Sequence, residues 1–142
     1  MLICDTSFVG HLMRRKARPD RYADWDEAVM RRVEAGVLAI SIVTIAEARA
    51  GFANARWGSR RIAREELRLA EFPPLLLDDP HLNEWARLST AARAGGVALS
   101  DNDLWIAATA SVRSQVLVTC DRDHVRIAPD LPVEVLYLAP PV

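Results

Sequence analysis

No uninterrupted apolar run in this sequence approaches the length of about 20 residues that a bilayer-crossing helix needs, so a membrane-spanning segment is not expected. Cysteine is scarce: Cys4 and Cys120 stand alone, too few and too far apart for a disulfide framework or a zinc site. They are expected as small buried thiols in a reducing compartment. Lysine is nearly absent, since of 18 basic residues only Lys16 is lysine. The formal net charge of −1 by itself argues neither for nor against a nucleic-acid partner. No basic segment leads into a long apolar stretch before Asp5, which argues against a signal peptide and for a cytoplasmic protein. Repeats, linkers and low-complexity segments are missing too, so residues 1–142 are expected to form one domain with a continuous core.

What the chain does have is an alternation of short apolar runs with longer periodic ones. Leu2-Ile3-Cys4 reads as a strand ending at Asp5. Thr6 or Ser7 can then cap a helix to about Lys16, with Phe8, Val9, Leu12 and Met13 inward, before Pro19 breaks it. A second helix, roughly 21–35, sets Trp25, Ala28, Val29 and Val33 at helical spacing, and Gly36 ends it. Residues 37–40 form the next strand. Ser41 or Thr44 opens a third helix, with Glu47 in its first turns and Ile45, Ala48 and Phe52 apolar, and a fourth follows Gly58. Leu75 to Leu77 is a short strand, and Asp79-Pro80 starts the helix that Gly95-Gly96 ends. Residues 116–120 and 133–138 supply the last strands. Strands that alternate with helices and lack polar alternation indicate an α/β fold: a mostly parallel sheet with helices on both faces.

The stretch Ser100 to Ala110, Ser-Asp-Asn-Asp-Leu-Trp-Ile-Ala-Ala-Thr-Ala, joins carboxylates to an apolar helix. From Leu104 to Ala110 only Thr109 is polar, so the helix belongs inside and Asp103 sits at the edge of the core. A carboxylate there loses solvation unless a cation, a donor or a proton compensates it. Capping explains the same residues: Ser100 or Asp101 can accept from free backbone N–H groups, and Asp103 can favour the helix dipole. Three more acids shift the balance. Asp5 and Asp121 each follow a buried strand, while Glu47 and Asp103 open helices on the same side. In open parallel sheets ligands collect at the carboxyl ends of the strands. Four carboxylates gathered there repel one another unless a cation is bound, and a donor set of oxygens favours Mg2+ or Mn2+ over zinc.

Asp5-Thr6-Ser7 after the first strand, Thr44-Ile45-Ala46-Glu47, Asp103-Leu104-Trp105-Ile106-Ala107-Ala108-Thr109-Ala110, and Thr119-Cys120-Asp121 together resemble the PIN-domain ribonucleases, and within them toxins of the VapC type. The resemblance covers nearly the whole chain in order, and its most specific part is the element that begins at Asp103. It implies a three-layer PIN-like sandwich and a Mg2+-dependent endoribonuclease, the toxin of a type II toxin–antitoxin pair. It also implies an RNA substrate, a homodimer and a small cognate antitoxin. Carried over by position, the acidic quartet falls on Asp5, Glu47, Asp103 and Asp121. Asp5 and Asp103 hold the metal, Glu47 and Asp121 act directly or through water, and Thr6, Asp101 and Thr119 are auxiliary.

Where many relatives have Phe three residues beyond the last acid, this chain has His124, which is expected to face solvent, as is Asp123. His11 and His81 fall within helices and are given no catalytic role. Phe52 and Trp57 read first as packing residues, and their place near a helix junction also suits a groove for an antitoxin helix. With no histidine positioned to activate a ribose hydroxyl, the expected chemistry is attack by metal-activated water, leaving 5′-phosphate and 3′-hydroxyl ends. A phospho-receiver also clusters carboxylates at strand ends, but needs a strand-end lysine, and Lys16 lies in a helix. A non-catalytic PIN-fold interaction module is the other alternative, and it does not need all four acids. The arginines at positions 14, 15, 18 and 21 and at 56, 60, 61, 64 and 68 suit phosphate geometrically, though most charge runs are solvated helix faces and an arginine bias also follows genomic composition.

Overall fold

The centre of the sheet is built from strands too apolar to face water on either side. In the computed structural model, which describes residues 1–142, Ile3, Cys4, Ala39, Ile40, Leu117 and Val118 have no exposure. The elements in order are β1 (Leu2–Cys4), α1 (Thr6–Ala17), α2 (Glu27–Ala35), β2 (Leu38–Ser41), α3 (Ile42–Asn54) and α4 (Ser59–Leu69). There follow β3 (Pro74–Leu75), α5 (Asp79–Ala94), α6 (Asp101–Val112), β4 (Val116–Thr119), α7 (Arg122–Ile127) and β5 (Val135–Tyr137). Short 3-10 turns lie at Pro19–Tyr22 and Ala128–Asp130. All strand pairs are parallel, in the order β3-β2-β1-β4-β5.

Side chains of successive strand residues point to opposite faces, and this divides the core in two. Leu2, Cys4, Ile40, Val118 and Cys120 pack with Phe8, Val9 and Leu12 of α1, Met30 and Val33 of α2, and Tyr22 and Trp25. Ile3, Ala39 and Leu117 pack on the other face against Leu88 and Ala92 of α5, the apolar run of α6, and Ile127. The expected layers, strand order in sequence and burial of α6 are therefore present, and both cysteines are buried free thiols. No helix is long and apolar enough to cross a membrane.

Local expectations fail where a side chain caps a helix instead of extending it. Asp5, not Thr6 or Ser7, caps α1, accepting from Phe8 N. The expected helix over 21–35 starts only at Glu27, because Asp26 accepts from Val29 N and closes its first turn. Trp25 is left outside it, stacks on Phe8 with ring centroids 5.9 Å apart, and donates its indole N–H to the Ala139 carbonyl at 2.8 Å. Asp78 takes the cap position of α5 in place of Asp79. Residues 122–127, given no structure from sequence, form α7, capped by Asp121.

This topology positions the site. The chain runs outward from β1 through β2 to β3, then crosses to β4 and β5 on the far side of β1. The order reverses between β1 and β4, and at such a switch point the loops diverge and leave a crevice outside the carboxyl ends of the strands. Asp5 and Asp121 emerge at that point on neighbouring strands, with Cys4 opposite Val118 and Asp5 N donating to Val118 O at 3.0 Å.

Candidate active site

Asp5 is a carboxylate held in place from several sides. It is only 2% exposed, and its Oδ1 accepts from Phe8 N at 2.7 Å. Ser7 Oγ lies 2.9 Å from both carboxylate oxygens, and Oδ2 accepts from Thr119 Oγ1 at 2.5 Å. Thr119 Oγ1 also accepts from Asp121 N at 2.8 Å, so one hydroxyl at the end of β4 joins the first acid of the chain to the last. Ser7 does the same from the other direction, accepting from Cys120 N at 3.1 Å. Burial of a carboxylate is costly unless donors compensate it, and here three groups do.

Asp103 comes to the site because Ser100 starts α6. Ser100 Oγ accepts from Asp103 N at 3.1 Å and donates to Asp103 Oδ2 at 2.7 Å, which fixes both the helix start and the carboxylate. Asp101, expected as the alternative cap, is an exposed first-turn residue whose carbonyl accepts from Trp85 Nε1 at 3.3 Å. Glu47 enters from α3, where Thr6 Oγ1 donates to its Oε1 at 2.9 Å. Burial raises the Glu47 proton affinity, and the charges of Asp103 and Asp5 raise it further, against hydrogen bonds from Thr6 and Asn102 that lower it.

His124 does not face solvent as expected. It is fully buried, with Nδ1 3.3 Å from Thr119 Oγ1 and 3.4 Å from Asp5 Oδ2, and Nε2 3.3 Å from the Asp103 carbonyl. Burial alone pulls the imidazole toward its neutral form, but the Asp5 carboxylate and then Asp103 more than offset this, and the net shift is upward. Ligating atoms of Asp103, Asp121 and His124 all lie within 4.8 Å of one another. The missed signal was α7. With Asp121 as its cap, positions 124 and 127 share the inner face of one turn, and a histidine there meets the core. Asp123 is half-buried and accepts from Arg126, as a surface residue does. His11 pairs with Tyr22 Oη at 3.1 Å, and His81 is buried at the start of α5, where its Nδ1 lies 3.1 Å from Asp78 N. Neither touches the acids.

Of the four sequence-selected acids, Asp103 and Asp121 fall with His124 in one group, whereas Asp5, expected to hold the metal with Asp103, has both oxygens taken by protein donors, and Glu47 feels the charges of Asp103 and Asp5 from α3. Thr6 and Thr119 lie beside them, and no lysine or arginine forms an ion pair with any of the four. Asp103 and Asp121 each have one oxygen engaged by a local donor, Ser100 Oγ and Asp123 N. Their second oxygens are free of protein donors. Both ring nitrogens of His124 already face protein partners, so the free donors are carboxylate oxygens, which fit a divalent ion of the Mg2+ or Mn2+ kind.

The PIN domain family profile matches residues 2–129. Ribonuclease VapC4 of Mycobacterium tuberculosis is 31% identical over 134 residues, covering 92% of this chain and 93% of that protein. Ribonuclease VapC5 of the same organism is 33% identical over 102 residues, covering 70% and 75%. The crystal structure of the VapBC-5 member of the VapBC toxin–antitoxin family from that organism superposes with a TM-score of 0.66 at 28% identity, covering 95% of this chain and 96% of the other.

Proposed function

Because this chain belongs to the PIN-domain family, we propose that it is an endoribonuclease of the VapC type, dependent on a divalent ion and active as the toxin of a toxin–antitoxin pair. One observation carries the reading: four carboxylates converge at a topological switch point with no lysine or arginine to balance them. Capping accounts for Asp5 and Asp121 in an inactive scaffold as well, but not for Glu47 and Asp103 being placed in the same field of negative charge.

Asp103 and Asp121 would hold the ion with their free oxygens, and Asp5 adds charge from behind them. Bound there, a divalent ion polarises a water molecule and offsets the charge that develops on a phosphate under attack. Glu47, with its raised proton affinity, is suited to take a proton from the attacking water at the carboxylate that Thr6 orients. Ser7 and Thr119 hold the Asp5 carboxylate in place by donating to it, and His124 holds the start of α6 against the end of β4. Attack by water predicts 5′-phosphate and 3′-hydroxyl ends.

The partner of such a toxin is a small antitoxin. Its apolar helix fits the groove between α1, α3 and α4, where Met13, Ala48, Phe52 and Leu69 supply apolar contact. A homodimer and a cytoplasmic location belong to the same reading. The test is cleavage of total RNA by purified protein with Mg2+ and with chelator, with analysis of the product ends. Cleavage that persists in chelator, or products with 2′,3′-cyclic phosphate, overturns the mechanism. Harmless expression of the intact protein overturns the toxin assignment.

A further inference from the structure

Outside the acids, the hollows of the surface converge on α1. A groove of about 510 Å³ begins at Thr6, Thr44 and Glu47 and runs between α1, α3 and α4. A second hollow of about 210 Å³, lined by Arg14, Ala17, Arg18, Arg21 and Tyr22, shares Arg14 and Ala17 with the first. One helix therefore leads from the acid centre to a wall of guanidinium groups. Arg14 lies about 12 Å beyond Thr6 along the axis, from the 1.5 Å rise per residue.

These arginines are not spent on the fold. Arg15 and Lys16 pair with Glu34 and Glu71, each at 3.3 Å, whereas Arg14, Arg18 and Arg21 have no carboxylate within 4.0 Å. Arg14 folds back toward the acid centre: its Nη2 stands 3.8 Å from where a Cβ on Gly10 would lie, the direction in which helical side chains lean. His11 is held below the ordinary imidazole range by burial first and by Arg14 next, against the Asp5 charge that raises it, with Arg21 adding to the lowering.

We propose that α1 carries the substrate strand: phosphates of a single-stranded RNA segment flanking the scissile bond lie along Arg14, Arg18 and Arg21. This rests on the ribonuclease reading of the acid centre. A single strand fits because Arg14 at the end of α1, Arg18 at its cap and Arg21 in the 3-10 turn that follows line one hollow, and because Asp5 is recessed, so the bond must bend inward to reach it. An apolar helical partner suits the Phe52 side of the groove but leaves three guanidinium groups unanswered. Base stacking on Trp57 is not part of the proposal. One face of its ring is stacked on Phe52 with centroids 5.2 Å apart, and the Arg61 guanidinium lies 3.6 Å from its centroid.

The test measures binding apart from cleavage. In an Asp103→Asn background, anisotropy of a labelled single-stranded RNA of mixed sequence is followed across a NaCl titration. Replacing Arg14, Arg18 and Arg21 together by Ala is expected to weaken binding at least tenfold and to lower the logarithmic salt slope by roughly 2, at about 0.7 per phosphate contact. Replacing all three by Lys restores the slope, and Arg113→Ala, at the opposite end of α6, changes neither quantity. Affinity and slope unchanged in the triple Ala protein overturn the proposal, as does tighter binding of a duplex with the same arginine dependence. If the wild-type protein cleaves RNA while the triple Ala variant binds and cleaves like its parent, the track alone fails. If the unaltered chain neither cleaves nor binds RNA, the ribonuclease reading fails and the track with it.

Discussion

Asp101 and Asp103 lie two residues apart on α6, which turns them about 200° from each other, so one metal cannot take both directly. Asp103→Asn is expected to abolish Mg2+-dependent cleavage with the fold intact, because Ser100 still meets the amide and a charge is removed from a crowded site. Asp101→Asn should keep measurable activity, since Asp101 is exposed and Ser100 is the cap. Cleavage rates and thermal midpoints of both variants across a Mg2+ titration check this, and full activity in Asp103→Asn would falsify the site. Glu47 gives a pH signature. Its proton affinity is higher in the folded chain than in the unfolded one, so the folded state binds more protons and loses stability as pH rises through the carboxylate range up to the raised value. In chelator, Glu47→Gln should therefore melt above the wild type at neutral pH, and the gap should close in acid, where both forms are uncharged. His124 shows why one residue escaped the sequence. Its burial depends on a six-residue helix whose only cue is a strand-end acid that doubles as a cap.

At the scale of the element, the central strands were legible because their apolar runs are buried on both faces, and α6 because its apolar length leaves no wet face; the edge strand expected over 75–77 instead lies at Pro74–Leu75, with Leu76 exposed. Boundaries were not, wherever a carboxylate or hydroxyl turns back onto the chain. Asp5, Asp26, Asp78 and Asp121 all end up at helix starts, and a sequence pattern alone does not say which of several polar neighbours takes that place. Site acids and caps are here often the same residues; at the Ser100–Asp103 stretch Ser100 is the cap, and the role of Asp103 is part of the proposed site. Ser100→Ala is expected to cost about 1 kcal/mol as a lost cap and also to lower the cleavage rate, because Asp103 loses the donor that aims it. A midpoint shift with unchanged cleavage would separate capping from catalysis. Thr119→Val should be more severe, at about 1–3 kcal/mol, because it strips partners from both a buried carboxylate and the Asp121 amide. Chemical denaturation of the two variants beside the wild type measures both costs.

For the molecule as a whole, the two-faced core sets how its thiols behave. Cys4 and Cys120 lie in the cluster on the α1 side of the sheet, and burial, reinforced by the Asp5 charge, pushes Cys120 up to about 12 and Cys4 higher still. Native protein should resist thiol reagents and release two reactive groups only on unfolding, which a timed labelling assay reads directly. The hydroxyl that completes Asp5 belongs to Thr119, 114 residues later in the chain, and β1 gains its second neighbour only when β4 exists. Contacts so distant in sequence form late and slowly. If the proposed centre is the nuclease, a ribosome making this chain carries an inert nascent polypeptide for most of the elongation time, and the acids meet only after Asp121 has cleared the exit tunnel.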